Sequence, residues 1–250
     1  MNVVKASGLT VELTLGLTLG PTSGLQASNR LIAGLPRTER DALLRRCETI
    51  ELSFGEALCT RQQGFEYACF PLTACLSLTA AVRGHPPMEI GMIGNEGMLG
   101  VSLLLGIDLA PQDSIVQGPG TALRIRAADL RALLPGSPAL QRSLERYLFR
   151  LLAQAGQTTV CTRFHLIDAR LARWLLMAHD RAHCDHLQMT HQILAHMLGV
   201  QRSAVTIASG ALKRGQLIDY VRGRISILDR AGLEAAACEC YGTEQYSIGG

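Results

Sequence analysis

The chain has 250 residues, of which 48% are hydrophobic and 18% charged; this supplies a packed core and excludes the low-hydrophobicity, high-charge signature of disorder. The net charge is only +3, but Pro138 to Arg230 carries 13 Lys or Arg against 6 Asp or Glu, whereas Met1 to Ser137 carries 11 against 12. The basic part therefore lies in the C-terminal half, where an anionic partner such as nucleic acid is expected, and the absence of roughly 20 consecutive apolar residues argues against a membrane-spanning helix.

In chain order, residues 1–28 come first. Their Leu and Val alternate with Thr, Glu or Gly, a strand-like pattern, and end in "GPTSG", which breaks a signal-peptide core and predicts a cytoplasmic protein with an N-terminal extension that is either a disordered arm or ordered. Leu35, Pro36, Leu43 and Leu44 then suggest a loop into a short amphipathic helix, with Thr38 as its N-cap and Asp41 in the capping-box position. The runs "TIELSFGEALC", "ACFPLTACLSLTAAV", "PMEIGMIG" and "SIVQGPGTALRI" are apolar or alternating, and Gly and Pro break them about every ten residues. That spacing predicts a β-sandwich or jelly roll over residues 29–136.

From Ser137 to about His165 the texture changes. Leu140, Leu144, Leu148, Leu151, Leu152, Ala155 and Thr159 lie three or four apart, predicting a helix some 42 Å long at about 1.5 Å per residue. Such a length suits a connecting or dimerising helix over 137–165 better than an ordinary core helix, and heptad registers through Leu144 or Leu148 both fit imperfectly. A second helix, "IDARLARWLLMAHDRA", places Leu171, Trp174, Leu175 and Ala178 on one face.

A helix-turn-helix needs a small residue where two helices cross, a glycine at the turn, and apolar residues at fixed offsets. Counting from His191, these are Ala195, Gly199, and Leu194, Leu198, Val200 and Val205. Thr190 is the predicted N-cap of the first helix, and Gln201, Arg202 and Ser203 open the second, at the end that enters a major groove. Two short alternating runs around Val221-Arg222-Gly223 predict a hairpin wing that carries Arg222 and Arg224 towards phosphates. Residues 166–250 are thus expected to form a winged helix-turn-helix domain.

With these residues, the chain resembles the Crp/Fnr family of bacterial transcription regulators over about residues 29–240, most strongly from Leu187 to Leu228. The resemblance implies an α+β protein: an N-terminal β jelly roll of the cyclic-nucleotide-binding type, a long dimerisation helix, and a C-terminal winged helix-turn-helix. It further implies a homodimer on a palindromic operator in double-stranded DNA, contact with RNA polymerase, and no catalytic residues. Arg202 matches the family's guanine-reading arginine, whose guanidinium fork suits N7 and O6. Ser203 and Ile207 replace a Glu and a second Arg, Thr206 lies on the same helix, and His191 stands where the family often has an Arg on phosphate.

The stretch "GMIGNEGMLGVSLLLG", Gly91 to Gly106, resembles the family's phosphate-binding cassette. Gly97, Gly100, Val101, Gln112 and Asp113 are the candidate effector-cavity residues. Val101 replaces the Glu of the cassette's Gly-Glu pair, while Gln112 and Asp113 replace its Arg-Ser pair. Exchanging Arg for Gln and Ser for Asp removes attraction for a cyclic phosphate and adds repulsion, so cyclic nucleotide is disfavoured and any small-molecule effector is of another kind.

An iron–sulfur cluster is disfavoured as well, because no cysteine precedes Cys47. No resident metal is expected. The segment "HDRAHCDH", with His179, His183, Cys184 and His186, is either a zinc site or a solvated helix end. Cys238 and Cys240 are either redox-active or an ordinary C-terminal segment, and His165 is either a hinge contact or polar surface. Two rival functions are weaker. A nucleotide-binding enzyme lacks a P-loop Gly-Lys-Ser/Thr and an acid/base pair, and a regulatory module that does not bind DNA has no use for a wing.

Overall fold

The computed structural model describes residues 28–182 and 186–242. The N-terminal extension, apart from Ser28, and three members of the histidine-rich segment, His183, Cys184 and Asp185, lie outside the described residues. Helices α1 (Arg30–Ala33) and α2 (Arg37–Leu44) open the fold. Asn29 is buried and caps α1 by accepting from Leu31 N, while its Nδ2 donates to Pro71 O at 3.0 Å and Gly97 O at 2.8 Å. The N-cap of α2 is Pro36, not Thr38. Proline at φ −54° already ends the preceding extended chain, so the helix begins one residue ahead of Thr38, and Asp41 pairs with Arg37 at 3.7 Å instead of closing a capping box.

Seven strands follow: β1 (Glu48–Leu52), β2 (Ala57–Cys59), β3 (Tyr67–Pro71), β4 (Cys75–Ala80), β5 (Met88–Ile93), β6 (Asp113–Gly118) and β7 (Gly120–Arg126). They form two antiparallel sheets, ordered β1-β7-β3 and β2-β6-β4-β5. The chain crosses between sheets at Gly118–Gly120, where a Cβ on Gly120 would stand 2.7 Å from Ala74 N. Between β5 and β6 a 3-10 turn, Val101–Leu105, is bracketed by Gly100 at φ 90° and Gly106 at φ 73°. Both lie in the left-handed region that favours glycine, so these two glycines of the Gly91–Gly106 stretch shape a corner of the jelly roll.

Helix α3 (Ala127–Leu133) leads into α4 (Pro138–Phe164), whose 27 residues span about 40 Å. Ser137 gives α4 no side-chain cap. The carboxylate of Glu39 does so from α2, accepting from Ala139 N at 3.2 Å and Leu140 N at 2.9 Å. The heptad registers through Leu144 and Leu148 are corrected here. Leu140 and Leu144 are fully buried against the jelly roll and Leu148 packs on the same core. The outward face of α4 carries Phe149, Leu152, Val160 and Phe164, exposed by 72%, 71%, 48% and 71%. Two apolar surfaces share this helix, and only the second is open to a partner.

After an extended His165, α5 (Ile167–Ala182), strand β8 (Leu187–Gln188), α6 (His191–Leu198), α7 (Arg202–Arg214), β9 (Ile218–Val221), β10 (Arg224–Ile227) and α8 (Arg230–Ala236) build the C-terminal part. Its sheet is ordered β8-β10-β9. Leu171, Leu175, Leu194, Val205 and Leu233 share one core that also takes in Met92 and Cys75 from the jelly roll. The two parts are therefore packed against each other. No described helix is long and apolar enough to cross a membrane.

Candidate nucleic-acid interface

Thr190 caps α6 as its position suggests, its Oγ1 accepting from Ile193 N at 3.2 Å. Gly199 ends α6 at φ 63°, ψ 40°. A Cβ there would need the left-handed region and would also stand 2.5 Å from Met88 Sδ of β5, so the turn glycine serves both the helix pair and its seat on the jelly roll. Helix α7 buries Val205, Ala208, Ser209 and Leu212. Its opposite face exposes Gln201, Arg202, Ser203, Thr206 and Ile207, the last by 69%. Gln201 makes no side-chain cap, so the first-turn N–H groups of α7 receive none from it.

The wing is a two-residue hairpin. Val221 pairs with Arg224, and the intervening Arg222 and Gly223 have φ of 48° and 81°, the double left-handed conformation whose twist matches the strands. Arg222 and Arg224 are both exposed. Arg224 Nη2 lies 3.2 Å from His186 Nδ1.

His191 joins the two halves of this surface. Its ring stacks on Tyr220 of the wing, with centroids 4.3 Å apart and planes at 18°. Its Nδ1 is 3.0 Å from Thr206 Oγ1, whose hydroxyl donates to Arg202 O at 3.0 Å. Because that proton is committed to Arg202 O, the Nδ1–H is the donor to Thr206. Burial, and then the charge of Arg202, hold the imidazole below its ordinary pKa. A neutral His191 thus ties α6, α7 and the wing together, and Thr206 is half engaged in that contact.

A cavity of about 200 Å³ lies between the jelly roll and α4, with Leu78, Ile90, Met98, Val101, Leu148 and Leu152 among its walls. Gly100, Val101 and Gln112 line it, and no charged side chain among the described residues does. Gly97 and Asp113 are not part of the lining. Gly97 lies under Tyr147, where a Cβ would be 2.4 Å from the ring, and Asp113 Oδ1 accepts from Arg61 N at 2.7 Å. The predicted cavity residues are thus brought together only in part, and the lining is apolar.

Two clusters were not legible in the sequence. Between the jelly roll and α5, buried Glu89 of β5 accepts from Trp174 Nε1 at 2.8 Å and from the Ser77 hydroxyl. Burial pushes its carboxyl up to about 7, opposed by those hydrogen bonds and by Arg181 and Arg173. Beside it Arg181 Nε donates to Glu96 Oε1 at 2.7 Å. At the other end of α5, Cys161, His165, Cys238 and Cys240 gather from the end of α4 and the segment after α8.

Residues 169–236 match the model of the Crp-like helix-turn-helix domain. The chain carries a Crp-like helix-turn-helix. Solved structures extend the likeness to the whole fold. FixK2 from Bradyrhizobium japonicum is 13% identical, with a TM-score of 0.65 over 77% of this chain and 98% of that one. A Crp/Fnr-family transcriptional regulator from Thermus thermophilus is 23% identical, with a TM-score of 0.62 over 76% and 98%. The c-di-GMP responsive global regulator CLP from Xanthomonas campestris is 14% identical, with a TM-score of 0.62 over 77% and 99%. No curated protein sequence matches the chain. At these identities the structures speak for the fold alone: a jelly roll, a long helix and a C-terminal domain that matches the Crp-like helix-turn-helix model.

Proposed function

We propose that the chain is a homodimeric, sequence-specific DNA-binding transcription regulator, with RNA polymerase as its downstream partner. The observation that carries this reading is the open end of α7: Gln201, Arg202 and Ser203 stand exposed at its N-terminus while its other face is packed, and the wing presents Arg222 and Arg224 alongside. Arg202 reads a guanine edge, Ser203 a neighbouring base, and Ile207 a thymine methyl. Arg222 and Arg224 hold phosphates, and Thr190 and His191 set the angle between the recognition helix and the wing. The apolar strip from Phe149 to Phe164 on α4 seats the same strip of a second copy, so that two recognition helices meet successive major grooves of a palindrome.

The jelly roll acts as an effector domain whose signal is not a cyclic nucleotide held through the usual residues. Among the described residues its cavity offers no cation to a phosphate, and Gln112 is neutral where the family's cassette has an arginine. A neutral, largely apolar effector fits these walls. Selection of bound genomic fragments by the full chain tests the function. Enrichment of fragments sharing an inverted repeat is the expected outcome; recovery of fragments with no common sequence would overturn it.

A further inference from the structure

The end of α4 and the segment after α8 hold a group of side chains that the DNA-binding reading does not use. Cys161 and His165 lie one helical turn apart, with His165 N donating to Cys161 O at 3.1 Å. Cys238 and Cys240 approach them from the far end of the C-terminal domain. The four ligand atoms lie within 4.8 Å of one another. The Cys161 and Cys238 sulfurs are 3.6 Å apart, and Cys240 Sγ is 3.5 Å from His165 Nδ1. A tetrahedral ion with about 2.3 Å bonds to sulfur and about 2.0–2.1 Å to nitrogen requires edges of roughly 3.8 Å between sulfurs and roughly 3.5 Å between sulfur and nitrogen. Two edges already have about these lengths, and the others, none longer than 4.8 Å, close by at most about 1.0 Å between sulfurs and about 1.3 Å between sulfur and nitrogen.

The surroundings are those of a metal site. Glu239 Oε1 lies 3.2 Å from His165 Nε2, and a carboxylate on that nitrogen fixes the tautomer whose Nδ1 lone pair faces the sulfurs. Gln157 Nε2 donates to Cys240 Sγ at 2.8 Å. Arg170 and Arg173, both buried, line the same small cavity as Cys161 and offset the negative charge that three thiolates leave on a divalent ion. Packing does not explain the cluster: among the described residues, Cys161, Cys238 and Cys240 form a buried group of their own, with Ala169 as the apolar residue packed against it. No disulfide joins them.

We propose that Cys161, His165, Cys238 and Cys240 form a structural Cys3His site for one tetrahedral divalent cation of the zinc class. Binding displaces the thiol protons to solvent and changes no oxidation state. The ion clamps the segment after α8 to the last turn of α4, so that the C-terminal domain is held on the long helix across the extended His165–Leu166 link.

The test uses the full chain, purified in reductant and dialysed. Metal analysis is expected to find one zinc per chain, and cobalt added to metal-stripped protein is expected to give thiolate-to-cobalt charge-transfer bands and the intense visible bands of a tetrahedral site. The double variant C238S/C240S loses both signals. Glu239→Gln, which leaves every ligand in place and is exposed, weakens zinc in a chelator competition by about 10–100-fold. Cys59→Ser, remote from the cluster, keeps full stoichiometry. No uptake of zinc or cobalt by the reduced chain, metal retained by C238S/C240S, or a Cys161–Cys238 disulfide as the resting form would each overturn the proposal.

Discussion

Replacing Glu89 by glutamine removes the buried carboxyl between jelly roll and C-terminal domain while keeping its shape. In the folded chain Glu89 faces Ser77, Trp174, Arg173 and Arg181, and burial lifts its carboxyl from the ordinary 4.5 to about 7. A folded-state value above the unfolded one means that the native chain binds the extra proton. The stabilisation is complete below the unfolded value, declines as pH rises through about 7, and is gone above it. A shift of this size corresponds to roughly 3 kcal/mol. Urea unfolding of wild type and Glu89→Gln from pH 5 to pH 8 isolates this group, because every other titration is common to both chains. The difference in unfolding free energy is expected to move in favour of the variant by up to roughly 3 kcal/mol across that window. Parallel curves would refute the reasoning, since they would mean that Glu89 carries the same charge in both states throughout.

Three further outcomes follow from the same geometry. Arg202→Ala should weaken binding to a selected operator by about 1–3 kcal/mol in a gel-shift titration and relax the preference at one base position, with Arg202→Lys failing to restore it. Leu152→Glu, on the exposed strip of α4, should shift the chain from dimer to monomer in sedimentation while its circular-dichroism spectrum stays that of the folded chain, because the side chain is 71% exposed in the single chain; the melting temperature should fall only by the lost association energy. Gly199→Ala should destabilise the chain by at least about 1–2 kcal/mol, the cost of a left-handed residue with a Cβ, and by more if Met88 cannot withdraw from its 2.5 Å approach.

The parts of this molecule that were legible in the sequence are those whose signal is local. The helix pair rests on Leu194, Ala195, Leu198, Gly199 and Val205, all within fifteen positions, and the wing turn on two adjacent residues. The jelly roll was legible as a class, since its turns recur along the chain, but its strand order is set by long-range pairing. Helix α4 shows why periodicity misleads. Leu144 and Leu148 mark the stronger stripe, yet they face the jelly roll, and the free face through Phe149 and Leu152 lies beside it on the same helix. Thr38 has the chemistry of a cap, but Pro36 sits one residue ahead of the helix and ends the extended chain there. The sulfur cluster joins Cys161 to Cys238 across 77 positions, so no spacing rule reaches it. Glu89 looks like the polar member of an alternating strand, and only the packing of Trp174 over it makes it buried.

DNA recognition is tested by equilibrium binding to two duplexes at several salt concentrations. The full chain is titrated by fluorescence anisotropy against a selected inverted-repeat duplex and against the same bases scrambled. Each phosphate neutralised by Arg222, Arg224 and their neighbours releases counterions, so log affinity should fall linearly with log salt, with a slope of about −0.9 per contact. The account predicts that steep line for both duplexes, with the selected one about 10³-fold or more tighter throughout. Equal affinity for the two duplexes, or binding indifferent to salt, would contradict it.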